Sequence, residues 1–93
     1  MKNTKNSVSA SVGHKIKKIR KSAGISGDCL AKKLGLTQQQ ISRYESGQSL
    51  MTIDILVMIA HELHVSVNEL LSDYLSSEYS DIMLLMDHRN TDR

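Results

Sequence analysis

The chain has no proline, no tryptophan and no phenylalanine, and its only aromatic residues are three tyrosines. An interior without large rings must be filled by Leu, Ile, Val, Met and Ala, although the hydrophobic fraction is an ordinary 40%. With no proline and only five glycines, little interrupts helices, which favours a mostly helical chain. One cysteine, Cys29, cannot close an internal disulfide, so nothing points to an oxidising compartment. No apolar run approaches the roughly 20 residues that cross a bilayer. The opening MKNTKNSVSASVG lacks the apolar centre of a signal peptide. The expectation is a cytoplasmic, single-domain protein with no membrane partner, and 93 residues allow a modest core.

Acid is scarce in one half only. Residues 1–50 hold ten Lys or Arg against Asp28 and Glu45, a balance of +8. Residues 51–93 hold Arg89 and Arg93 against eight carboxylates, a balance of −6, so the net +2 conceals a strong asymmetry. A basic face for a polyanion is one reading, and a solvated Lys-rich first helix is the other.

Residues 1–12 are small and polar and read as a disordered arm. Over 13–23, Ile16, Ile19, Arg20 and Ala23 recur at helical spacing, and Gly24 suits the left-handed stop. Ser26 can cap a second helix, 27–34, with Leu30, Ala31 and Leu34 inward and Gly35 closing it. Cys29 falls in that helix and is expected to be buried. Thr37 caps a third helix to about Ser46, stopped by Gly47. Thr52 caps a fourth, with an inward stripe of Ile53, Leu56, Ile59, Ala60 and Leu63. Ser66 caps a fifth, with Glu69 completing an S-x-x-E pattern and Val67, Leu70 and Leu71 inward. The fold class is therefore all-α: a compact five-helix domain over 13–74, then a tail, 75–93, with one apolar cluster.

The third helix carries the most informative stretch, Gln38-Gln39-Gln40-Ile41-Ser42-Arg43-Tyr44-Glu45. With Ile41 inward on a wheel of about 100° per residue, Thr37, Tyr44 and Glu45 share its side. Gln39 and Arg43 point outward, with Gln40 and Ser42 flanking them and Gln38 in the exposed first turn. Gln can pair two-pronged with adenine and Arg with guanine in the major groove, which admits an α-helix. A plain solvated helix is the alternative.

Ala31, Gly35 and Ile41 stand at positions five, nine and fifteen of a unit starting at Gly27: a small residue at a helix crossing, a tight turn and a pinning aliphatic. With KIKKIRKSAGIS, CLAKKLGLTQQQISRYESG and TIDILVMIAHELHVSVNELL, this resembles the phage-repressor helix-turn-helix family of the Cro/C1 or XRE-like type, over about 13–74. The resemblance implies that the third helix reads double-stranded DNA, with Gln38, Gln39, Ser42 and Arg43 on base edges. It places Thr37 and Gln40 near phosphates, where Gln48 and Ser49, and Lys15, Lys17, Lys18, Lys32 and Lys33, are candidates too. It also pairs Arg20 with Glu45 structurally.

The chain departs from the family where Gly27 and Cys29 replace a Gln and a capping Glu. Gln48, Ser49, Leu50 and Met51 replace a basic, Pro-containing stretch, so phosphate contacts there would fall to backbone N–H groups or polar side chains. His64 sits at a turn position that is often Gly.

The resemblance implies a transcriptional regulator, in the simplest case a repressor acting as a homodimer on a pseudo-palindrome. The tail residues Ile82, Met83, Leu84, Leu85 and Met86 are the candidate dimerisation segment, packing with Ile55, Val57 and Met58, or else folding back on their own domain. No small-molecule ligand, cofactor or enzymatic activity is expected. His61-Glu-Leu-His64 is one residue short of the helical zinc spacing. The third helix is also similar to that of small enterobacterial regulators encoded near fimbrial operons. An antitoxin of the same fold, or a protein-interaction module that does not read DNA, is a further reading.

Overall fold

The computed structural model describes residues 8–76, and all of its regular structure is helical. The helices are α1 (Val8–Ser22), α2 (Gly27–Leu34), α3 (Gln38–Ser46), α4 (Ile53–Leu63) and α5 (Val67–Ser76). The tail cluster at 82–86 lies outside the described residues. No single described helix is long and apolar enough to cross a membrane, and the α4–α5 pair is bent by 110°.

Local chemistry sets most of the boundaries. Ser26, Thr37 and Thr52 each lend a side-chain oxygen to the N–H three residues on, at Cys29, Gln40 and Ile55. Ser66 does the same for Glu69 at 3.0 Å. At the other ends, Gly35 and Gly47 adopt φ of 72° and 82° and turn their N–H groups back onto the preceding helix. His64 holds the same left-handed position after α4 at φ 59°, without glycine's freedom.

The core is aliphatic, as the shortage of aromatics requires. Val12 and Ile16 of α1, Leu30, Ala31 and Leu34 of α2, Ile41 of α3, Ile59, Ala60 and Leu63 of α4 and Leu70 of α5 form one buried cluster, with Tyr44 half-buried against it. Each fully buried Ile or Leu contributes about 1.5–3 kcal/mol of transfer free energy.

Four expectations change. First, α1 begins at Val8 and buries Val12, so 8–12 belong to the helix and not to an arm. Gly13 lies inside α1, where it crosses α3, and a β-carbon there would clash with the Tyr44 carbonyl oxygen. Secondly, α1 ends at Ser22 and Ala23 is exposed. Thirdly, Ile53 at the start of α4 is 77% exposed, and Ile55 packs against the core in its place. A first-turn residue has no earlier helical neighbour to fix its face, and periodicity there is ambiguous. Fourthly, Cys29 is exposed, and Leu30, Ala31 and Leu34 are the residues that α2 buries.

Candidate nucleic-acid interface

Two anchors hold α3 by its inner side. Ile41 is buried against α1 and α2, and Glu45 is buried beside it. Glu45 receives two hydrogen bonds from Arg20: Nε to Oε2 at 2.6 Å and Nη2 to Oε1 at 3.0 Å. Nη1 of Arg20 donates to the Ile25 carbonyl at 2.8 Å. One guanidinium therefore ties α1, the α1–α2 turn and the C-terminal half of α3. Both side chains are almost wholly buried. The hydrogen bonds that Arg20 donates to Glu45, aided by the carboxylate's charge, raise the Arg20 pKa above its ordinary value despite the opposing effect of burial. The carboxylate of α3 is spent inward, which leaves its outer face free of acid until the helix ends.

That outer face is Gln38, Gln39, Gln40, Ser42 and Arg43, all exposed. Thr37 is exposed as well, where the wheel set it inward. Its position follows from capping, because an N-cap residue has left the helical path: Thr37 has an extended backbone at φ −92° and ψ 157°. The Thr37 hydroxyl accepts from the Gln40 N–H at 3.1 Å, and Gln40 Oε1 accepts from the Thr37 N–H at 2.9 Å. The Thr37 cap was read from the sequence, but its reciprocal partner was not, although T-x-x-Q carries the same signature as the one read at Ser66 and Glu69; the resemblance placed Gln40 only near phosphates. The Gln40 side-chain oxygen is engaged with Thr37, so its Nε2 amide is the end that can donate outward.

The backbone after α3 is committed. Gln48 and Ser49 N–H both donate to the Arg43 carbonyl, and Gly47 N–H to that of Tyr44. Contacts from this loop to an anion therefore fall to the Gln48 side chain, which is exposed, and that of Ser49, which is half-buried.

The lysines separate into groups. Lys15 is mostly packed and bonds Asp73 of α5 at 3.4 Å. Lys32 pairs along α2 with Asp28 at 3.3 Å, an exposed pair of small net worth. Lys33 is exposed. Lys17 borders the reading face, in a cleft of about 310 Å³ that it shares with Ser26, Gly27, Gln38 and Ser42 above Arg20, Ile41 and Glu45. Gly27 leaves this cleft open: the nearest atoms a β-carbon there would meet belong to Arg20 and Gln38, at an ordinary 3.8 Å. Among the described residues no group of His, Cys, Asp or Glu is arranged to hold a metal ion.

An α2–turn–α3 unit crossing at a small alanine, with the second helix turned outward, defines a helix-turn-helix protein. The helix-turn-helix family model matches residues 16–70, and the chain belongs to that family, in its Cro/C1 branch. A curated relative, the cryptic phage CTXphi transcriptional repressor RstR of Vibrio cholerae, is 34% identical over 55 residues, 59% of this chain and 49% of that protein. The chain thus spans about half the length of the curated relative it matches. Two crystal structures of the clp gene regulator ClgR from Corynebacterium glutamicum share the fold. One has a TM-score of 0.71 at 21% identity, covering 76% of this chain and 92% of that one. The other has a TM-score of 0.73 at 19% identity, covering 89% and 88%.

Proposed function

We propose that the chain is a sequence-specific double-stranded DNA-binding transcriptional regulator that represses by occupying a promoter. The observation that carries this reading is the exposed Gln38–Gln39–Ser42–Arg43 face on a helix whose one acid is buried against Arg20. Gln39 and Arg43 offer two-pronged pairing to adenine and guanine, while Gln38 and Ser42 reach adjacent base edges. Phosphates are held by Thr37, the Gln40 amide, Lys17, Lys18, Lys33 and the Gln48 and Ser49 side chains, which set affinity and register more than sequence. The transcriptional repressor named among the relatives supports the same reading.

The protein acts as a homodimer. Leu50 and Ile53 are 78% and 77% exposed, and Val57 and Met58 49% and 42%, apolar side chains where a lone domain would favour charge. A two-fold axis passing near these side chains would set two reading helices about 34–36 Å apart, one turn of DNA. The tail residues 82–86 are the proposed remainder of that interface. Selection of bound sequences from random DNA by the purified chain tests the reading. A two-fold-related consensus supports it, and recovery of unselected sequence contradicts it. An Ile53→Lys variant that sediments at half the wild-type mass would support the dimer face.

A further inference from the structure

The exposed basic side chains of α1 are gathered on one side, while Lys15 packs against Asp73 and Arg20 is buried with Glu45. His14, Lys17, Lys18 and Lys21 stand at i, i+3, i+4 and i+7, which is a single face of an α-helix. All four are exposed, and together they line a shallow concavity of about 270 Å³. No carboxylate interrupts the face. The acids that border it, Glu45 and Asp73, lie in the groove beside His14 and Lys17, and each is already paired, with Arg20 and Lys15. Lys17 belongs both to this stripe and to the cleft it shares with Gln38 and Ser42 of α3. The stripe therefore runs on from the reading face.

We infer that the stripe is a second phosphate track, which holds the duplex backbone beyond the base pairs that α3 reads. The inference rests on the DNA-reading assignment above and adds to it a surface, two residues (His14 and Lys21) and a longer footprint. Three lysines on one face repel each other in the free protein, and a regularly charged backbone relieves that repulsion while releasing counterions. Such contacts add affinity without reading sequence. A duplex fits better than an anionic bilayer, because the stripe adjoins the Gln/Arg face and none of its four side chains is an apolar group that could enter a membrane.

The test uses the whole 93-residue chain and its His14→Ala/Lys21→Ala double variant, which changes only the two residues not assigned to the reading site, with circular dichroism confirming equal helix content. The probes are the selected duplex trimmed to its protected core and the same duplex extended by about ten base pairs, one turn, on each side. On the extended duplex the variant should lose about fivefold in affinity, and its log–log salt slope should flatten by about one. On the trimmed duplex the loss should stay under about twofold. Equal losses on both lengths, or none on either, overturn the track. If selection yields no preferred sequence, the base-reading assignment fails, and the same variants are scored on a random extended duplex. There a flattened salt slope upholds the track and an unchanged one overturns it. Loss of binding to vesicles of anionic lipid, with duplex binding intact, also overturns it.

Discussion

Gly13 of α1 lies directly beneath the backbone of Tyr44 in α3. A β-carbon at Gly13 would strike the Tyr44 carbonyl oxygen and come within 2.9 Å of that of Glu45. The closeness of this crossing brings Arg20, two turns further along α1, within reach of Glu45. Replacing Gly13 by Ala should destabilise the protein by about 1–3 kcal/mol through overpacking, against a gain of about 1 kcal/mol in helix propensity. Gly27→Ala is the matched control, since its new β-carbon meets nothing closer than 3.8 Å. Urea denaturation should show the first variant weakened and the second unchanged or slightly strengthened.

The Arg20–Glu45 pair is almost fully buried, so removing one partner strands the other. Glu45→Ala should cost about 3–5 kcal/mol, while replacing both residues by apolar ones of similar volume should recover most of that loss. A double-mutant cycle measures the coupling. A value near zero would show that the two side chains do not support each other.

What could be read in the sequence was whatever the chain encodes locally. The caps at Ser26, Thr37, Thr52 and Ser66 and the stops at Gly35 and Gly47 need only neighbours three or four residues away, and the structure has all of them. The Arg20–Glu45 contact, 25 residues apart, was legible only through the family resemblance. Gly13 was not legible in its true role. A glycine that lets two helices touch looks, in one dimension, like a glycine that starts a helix. The same limit applies to Ile53 and Ile55, whose burial depends on how α4 enters the bundle. The lysines resisted for a third reason: whether Lys15 faces solvent or Asp73 depends on where α5 lies.

The capping box gives a separable test for Gln40. Gln40→Ala should lower stability by about 1 kcal/mol by freeing the Thr37 N–H and loosening the first turn of α3. Gln40→Glu keeps an acceptor for that N–H and should hold or raise the melting temperature, since acid suits a helix N-terminus. If Gln40 also lies near phosphate, the Glu variant should bind DNA more weakly although it is no less stable.

His64 carries its left-handed backbone with a β-carbon. His64→Gly should raise stability by up to about 1 kcal/mol, read as a higher melting temperature, with the C-cap bonds to Ala60 and His61 retained. A loss on substitution would mean that the His64 side chain makes a contact that outweighs the relief of strain.

Whether the outer face of α3 reads bases is decided by Arg43→Ala. Arg43 is exposed and its side chain is not part of the packing that holds α3, so the melting temperature should stay nearly unchanged. Affinity is measured for the selected duplex and for an unrelated duplex of equal length, at one salt concentration. If that face reads bases, Arg43→Ala costs about 1–3 kcal/mol on the selected duplex only, with base preference relaxed at one position in each half-site. An equal loss on both duplexes, with preference intact, would contradict it and make Arg43 a phosphate contact.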